Sequence, residues 1–300
     1  MLFFTTIFYK IIAKHKIFLY LCTLIATDMS PMNNCLRLGN RLLSLKSPLV
    51  MAIVNATPDS FFAASRADSE AALQTAFERV LNEGAHMMDI GACSTRPAVQ
   101  AGAGVVDEQQ EWMRLDKALA VATRMNIALP VSVDTFRVNV ARRALEEYGV
   151  AMINDVSGGS DEMFDLVAHY NAAYVLTYNR ARVGQLTENV LADALAFFSR
   201  EVDDLRRRGV SDIVIDPGFG FGQTVEQSLD LLANLGALRH LGCPILAGIS
   251  RKRMAYQPSG LTPETCLEQT LFLEQQALNQ GASILRVHDV AATIISLARK

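Results

Sequence analysis

The chain has 300 residues, half of them apolar and a fifth charged, with a formal net charge of −3. This is ordinary globular composition with ample material for a core, and the acidic balance argues against wrapping nucleic acid, for which a basic stripe is expected. Five cysteines (Cys22, Cys35, Cys93, Cys243, Cys266) lie far apart with no Cys-x-x-Cys pair. Neither zinc spacing nor a disulfide framework is read from them, and a reducing cytoplasm is expected.

Residues 1–31 differ in character from the rest of the chain. Lys10, Lys14 and Lys16 precede an apolar run over 17–26, of signal-peptide length and too short for an ordinary membrane span. No clear small-x-small cleavage site comes after it. The favoured reading is upstream sequence before a start at Met29 or Met32. The expected division is therefore an extension over 1–31 and one domain over 32–300.

From residue 50 onward, apolar β-rich runs alternate with helical patterns. The first run is 50–56; after it Leu73, Phe77, Val80 and Leu81 fall at helical spacing, with Ser69 as N-cap and Gly84 as C-cap. Runs at 87–91 and 130–135 come next, then Val138, Ala141, Ala144, Leu145 and Tyr148 ahead of Gly149. Further runs lie at 152–156, 174–178 and 213–216, with Arg206, Arg207 and Arg208 read as a solvated helix end. Thr224-x-x-Gln227 forms a capping box before Leu229, Leu232 and Leu235, and the last runs are 245–249 and 284–288. Glycines stop the helix just ahead of a strand at Gly84, Gly149, Gly209, Gly242 and Gly281. Eight nearly continuous apolar strands, each feeding a helix, predict a single (β/α)8 TIM barrel with parallel strands. No Gly-x-Gly-x-x-Gly succeeds the first strand, so a dinucleotide fold is the weaker choice.

In such a barrel the chemistry gathers at the C-terminal strand ends. The strands deliver Asn55-Ala56-Thr57-Pro58-Asp59-Ser60; Asp89-Ile90-Gly91 with Ser94-Thr95-Arg96-Pro97; Asp134-Thr135; Asn154-Asp155-Val156-Ser157-Gly158-Gly159; Asp216-Pro217-Gly218-Phe219-Gly220-Phe221-Gly222; Gly248-Ile249-Ser250-Arg251-Lys252; and Arg286-Val287-His288-Asp289. One aspartate at a strand end is most simply a helix cap. Seven strand ends carrying carboxylates, amides and cations on one rim are not explained that way. Alternation along the last strand turns Arg286 and His288 to one face and Leu285 and Val287 to the other. Charged groups on an inner face need a partner or a ligand, which makes this strand a site for an anion.

Residue type sets the ligand class. Asp216, Asp134 and Asn154 can read a flat heterocycle with an amino-oxo edge, because a carboxylate accepts two parallel N–H bonds. Lys252 can donate to its oxo or ring-nitrogen acceptors. Glycines around Phe219 and Phe221 allow close approach to a planar ring. Arg286, His288 and Asn55 suit a phosphate or pyrophosphate, with Asn55 also an oxygen ligand for Mg²⁺.

These motifs, over residues 36–300, resemble the dihydropteroate synthase family. The resemblance implies a transferase that condenses 6-hydroxymethyl-7,8-dihydropterin pyrophosphate with 4-aminobenzoate to give 7,8-dihydropteroate and pyrophosphate, in folate synthesis. It implies that Asp134, Asn154, Asp216 and Lys252 hold the pterin and that Asn55, Arg286 and His288 hold Mg²⁺ and pyrophosphate. Thr95, Arg96, Pro97, Phe221 and Ser250 would shape the aminobenzoate pocket where sulfonamides compete. Lys252, Asp134 and Arg286 would be the catalytic set, and the loops after the first two strands the mobile elements. A cytoplasmic homodimer joined through its helical side is expected, with small-molecule substrates and neither nucleic acid nor membrane as partner.

The chain departs from the family pattern at the fifth strand. The family reads Leu-Met-His-Met-Arg/Gln-Gly there, and this chain reads Leu176-Thr177-Tyr178-Asn179-Arg180-Ala181. Asn179 stands where a methionine packs on the pterin face and loses that soft area. Gln223 replaces a rim lysine, Ala92-Cys93 replaces a Gly-Glu or Gly-Tyr pair, and the first loop over 61–66 lacks a frequent Ser-Asp-Gly-Gly. The fifth-strand change motivates an alternative, a pterin-binding paralogue with little or no synthase activity. A pterin-dependent methyl transferase is disfavoured by the retained Ser-Thr-Arg-Pro and Arg-Val-His-Asp segments.

Overall fold

The computed structural model describes residues 34–56, 70–93, 106–184 and 186–299, all within the compact unit that starts at Asn33. The extension over 1–31, the Ser69 cap, the first loop over 57–66, and Thr95, Arg96 and Pro97 lie outside the described residues.

A hairpin precedes the barrel. Strands β1 (Cys35–Leu38) and β2 (Arg41–Ser44) pair antiparallel and turn through Gly39 at φ +61°. Leu36 and Leu38 pack on Leu49, Met51, Met87, Met152 and Val175, so the hairpin covers the N-terminal end of the barrel. Sequence pattern predicts no element here, because a four-residue strand carries too little periodicity.

Parallel strands then alternate with helices in chain order. They are β3 (Leu49–Asn55), α1 (Glu70–Asn82), β4 (Met87–Gly91), α2 (Glu108–Arg124), β5 (Val131–Asp134), α3 (Val138–Tyr148), β6 (Met152–Asp155), α4 (Asp161–Tyr170) and β7 (Ala173–Thr177). After them come α5 (Val190–Arg207), β8 (Ile213–Asp216), α6 (Val225–Ala233), β9 (Leu246–Ala247), α7 (Arg253–Tyr256), α8 (Leu267–Asn279), β10 (Ile284–Val287) and α9 (Val290–Ala298). Sequential strands pair from β3 to β8, and β10 lies between β9 and β3. A parallel bridge between Ile215 and Ile245 closes the ring, reinforced by the Ile215 N–H donating to Pro244 O at 3.0 Å. The chain is a (β/α)8 TIM barrel of eight parallel strands.

Strand alternation divides the core into two layers. Outward residues such as Val54, Ile90, Tyr174, Leu176 and Leu285 pack beneath the helices. Leu73, Phe77 and Val80 present one buried stripe of α1 to this layer, while Leu81, at the edge of the stripe, is 39% exposed. Phe77 is wholly buried, and its truncation to alanine costs about 3–5 kcal/mol. Helix ends obey the sequence signals: Thr224 and Gln227 form the capping box of α6, and Gly149 stops α3 in the left-handed region. Inward residues are apolar in the N-terminal half of the barrel, where Met51, Met87, Met152, Val214 and Ile284 meet. Polar residues occupy the C-terminal half. Among the described residues no helix is long and apolar enough to cross a membrane.

Candidate active site

The polar half of the barrel interior is built by period-two alternation. Inward positions carry Asp89 on β4, Ser132 and Asp134 on β5, Asn154 on β6, Thr177 on β7, Asp216 on β8 and Arg286 on β10. Arg286 Nε donates to Asp89 Oδ2 at 2.6 Å and its Nη2 to Asp134 Oδ2 at 2.7 Å. Asn154 Nδ2 donates to the same Asp89 oxygen at 2.8 Å. Four strands of the ring are thereby joined through this one cluster. A second cation, Lys252, comes after β9 and donates from Nζ to Phe219 O at 2.6 Å. A Cβ at Gly248 would stand in ordinary contact with both groups, 3.6 Å from Asp216 Oδ2 and 3.7 Å from Lys252 Nζ, which sets the backbone at this position beside the carboxylate and the ammonium.

Burial in company of opposite charge tunes these groups. Burial pushes the Asp134 carboxyl up to about 7, with Arg286 opposing and Asp89 and Asp155 adding to the rise. Burial likewise raises Asp216, opposed chiefly by Lys252. Lys252 falls to about 8 through burial, with Asp216 opposing. Arg286 stays above its ordinary value, the pull of Asp89 and Asp134 overcoming its burial. Burial and then the Arg286 charge bring His288 down to about 3. Its imidazole is therefore neutral at neutral pH and offers an anion a hydrogen bond without charge. Positive charge at this end rests on Arg286 and Lys252.

Several buried oxygens here have no hydrogen-bond partner among the described residues: Asp89 Oδ1, Ser132 Oγ, Asn154 Oδ1 and Thr177 Oγ1. Each such group costs about 1–3 kcal/mol of desolvation unless a polar ligand meets it. A clustered set of acceptors, flanked by Arg286 and Lys252, fits a ligand with N–H donors at one end and negative charge at the other.

The remaining site residues surround this centre. Ser250 is buried; its Oγ accepts from His288 N and lies against His288 Nδ1, both at 3.2 Å. Phe221 is half-buried, its ring centre 5.0 Å from Lys252 Nζ. The adjoining glycines serve the loop itself: a Cβ on Gly218 would come within 2.0 Å of Tyr178 O, and one on Gly222 within 2.5 Å of Ala181 N. Gln223 turns inward, donating to Pro217 O and accepting from Ser228 Oγ, each at 3.0 Å. Arg251 grips both oxygens of Asp289 at 2.8 and 2.6 Å. Asn55, half-buried, ends β3 beside Gly91. Among the described residues no group of three His, Cys, Asp or Glu side chains is disposed to hold a metal.

At the fifth barrel strand, β7, Tyr178 packs outward among Phe197 and Phe198. Asn179 is fully buried, and its Nδ2 donates to Val156 O at 2.8 Å, tying the ends of β6 and β7 together. Arg180 is also buried, donating from Nη1 to Asp193 Oδ2 at 2.8 Å and from Nη2 to Thr187 O at 2.6 Å.

Two buried acids receive no specific role in the sequence reading, although Asp89 is named there among the strand-end residues. Asp89 sits inward on an apolar strand, and the reasoning applied to Arg286 would have found its role. Glu111, in the first turn of α2, is buried against Arg137 and accepts from Thr135 Oγ1 at 2.7 Å. Its burial is a tertiary event with no local signal.

Comparison with known proteins places this geometry. Residues 51–288 match the model of a family described as pterin binding enzyme. A bifunctional dihydropteroate synthase/dihydropteroate reductase of Helicobacter pylori is 34% identical over 252 residues; the match covers 81% of this chain and 65% of that protein. The dihydropteroate synthase of a Synechocystis species is 37% identical over 268 residues, covering 82% and 87%. The structure of Xanthomonas albilineans dihydropteroate synthase with 4-aminobenzoic acid superposes with a TM-score of 0.78 at 35% identity, covering 89% and 96%.

Proposed function

The chain belongs to the pterin binding enzyme family, and we propose that it is a dihydropteroate synthase. The reaction joins 6-hydroxymethyl-7,8-dihydropterin pyrophosphate to 4-aminobenzoate and releases pyrophosphate. The observation that carries this reading is the cluster of Asp89, Asp134, Asn154 and Arg286, with Lys252 and Asp216 beside it.

In this reading Asp216 accepts from the amino-oxo edge of the pterin, and Asn154 Oδ1 accepts a further ring N–H. Lys252 donates to the oxo group or a ring nitrogen. Breaking the C–O bond to pyrophosphate builds negative charge on the leaving group, which Arg286 and Lys252 stabilise in a site shielded from water. The pterin carbon becomes cation-like, and the ionised carboxylates of Asp134 and Asp216 offset that charge. The aminobenzoate nitrogen then forms the new C–N bond and gives up a proton.

Thr95, Arg96, Pro97, Phe221 and Ser250 would border the aminobenzoate, a role that rests on their motif positions. Mg²⁺ fits the donor set only as a substrate-borne ion, since Asn55 brings one amide oxygen and a magnesium site of this kind takes its other ligands from phosphate and water. When bound it would neutralise charge on the departing pyrophosphate. A homodimer through the helical side is supported by Phe272 on α8 and Ile295 on the adjacent α9, 62% and 52% exposed. A cytoplasmic location is the reading under which Cys243 and Cys266, buried and unbridged, stay so.

The test is pyrophosphate release by the full chain supplied with both substrates and Mg²⁺, with and without a sulfonamide. Turnover suppressed by the sulfonamide and reduced about 10²-fold or more by Lys252→Ala is expected. No turnover from folded protein, with pterin still bound, would favour the paralogue.

A further inference from the structure

Asp89 is wholly buried, and one of its oxygens, Oδ2, receives both Arg286 Nε and Asn154 Nδ2. Arg286 faces the leaving anion and Asn154 the heterocycle, so a single carboxylate oxygen links the two halves of the substrate site. An ionised carboxylate only accepts, so it dictates which end of the Asn154 amide it meets. With Nδ2 turned to Asp89, Asn154 Oδ1 is left as an acceptor unpartnered among the described residues. On the other side, Arg286 gives Nε to Asp89 and Nη2 to Asp134, and no group among the described residues takes Nη1.

We propose that Asp89 is a positioning residue for both substrate halves, fixing Asn154 with its oxygen toward the pterin and Arg286 with Nη1 toward the pyrophosphate. This rests on the synthase reading of the same site. Through Oδ2, Asp89 acts by way of the two side chains that meet the substrate. A residue serving one half alone would affect one ligand alone.

Calorimetric titration of the full chain with 6-hydroxymethyl-7,8-dihydropterin and, separately, with inorganic pyrophosphate distinguishes the cases. Asp89→Asn is expected to weaken both by about tenfold. Asn154→Ala should weaken only the pterin, and Arg286→Lys only the pyrophosphate. If Asp89→Asn leaves either ligand unchanged, the proposal is overturned. A second readout is the acid limb of the rate profile. The charges facing Asp134 are Arg286, Asp89, Asp155 and Lys252, and loss of the Asp89 charge should move that limb to lower pH; an unmoved limb counts against the proposal. Should Asp89→Asn fail to fold, Asn154→Ala and Arg286→Lys are combined. Their effects on pterin pyrophosphate affinity should then be non-additive by about threefold or more, and strict additivity overturns the proposal. Wild-type protein that binds neither probe contradicts the synthase reading as well. Wild-type binding that Asp89→Asn does not change sinks the Asp89 role alone.

Discussion

Two arginines, Arg180 buried and Arg286 half-buried, face different fates on opposite sides of this barrel. Arg180, just beyond β7, gives its donors to Asp193 and to Thr187 O. Asp193 is in turn filled by the Thr187 N–H at 2.9 Å and hydroxyl at 2.8 Å. Although burial pushes the Asp193 carboxyl up, the bonds from Thr187 and Arg180 hold it below its ordinary value. Arg286 also meets carboxylates, but the group around it stays open, with Asp89 Oδ1 and Asn154 Oδ1 unpartnered among the described residues. A closed ion pair stiffens a loop. An open one, in which protein groups supply only part of the hydrogen bonding, is built for a ligand. On the proposed reading the Arg180 pair belongs to the scaffold and the eighth-strand cluster to the chemistry, while Asn179, whose Oδ1 is also unpartnered among the described residues, keeps one open acceptor at the fifth strand.

The largest expected effect breaks the open cluster. Arg286→Ala removes the main fixed positive charge from the leaving group and strands two buried carboxylates, so turnover should fall about 10³-fold. A loss under tenfold, measured as pyrophosphate release, would remove Arg286 from the mechanism. Next is the pH profile. Asp134 must be ionised to pair with Arg286 and balance the pterin cation, so protonation below about 7 should lower the rate. Lys252 must be protonated, so its titration above about 8 should lower it again. The predicted bell reports the coupled cluster, and a rate that is flat between about pH 6 and 9 contradicts these roles.

Smaller effects test the closed side. Arg180→Ala removes the cation from the half-buried Asp193, which keeps its Thr187 bonds, for a stability cost of about 1–3 kcal/mol by denaturant unfolding. Pterin affinity should be unchanged in protein that remains folded, and a tenfold loss would mean that Arg180 reaches the ligand. Asn179→Met sharpens the contrast most finely. It removes the donor to Val156 O from a packed site, so a cost of about 1–2 kcal/mol is expected, with pterin affinity changed by less than about threefold. Tenfold tighter binding would instead show that this position packs against the pterin.

The barrel was legible because each strand is a short apolar run and each turn carries its own signal. Gly149 and the Thr224–Gln227 box stop and start helices where the sequence places them. Leu36 and Leu38 contribute only two alternating positions, and their place under the barrel depends on contacts with distant strands. In the site, alternation alone turned Arg286 inward. What it could not supply was partnership: that Asp89 joins Arg286 to Asn154, or that burial leaves His288 uncharged. The missing methionine at Asn179 reads as a loss of packing on the pterin; residue type alone does not show that its Nδ2 is bonded to Val156 O while its Oδ1 is unpartnered among the described residues.

The difference between the two arginines is tested most directly by one substitution applied to both. Pyrophosphate release would be measured for the wild type, Arg286→Lys and Arg180→Lys under the same substrates and Mg²⁺. Lysine keeps the charge and loses the planar fork. Arg286→Lys is expected to lower kcat/KM by about 10²-fold while Arg180→Lys stays within about threefold of wild type. Equal losses, or a larger loss at Arg180, would contradict the assignment of one arginine to chemistry and the other to scaffold.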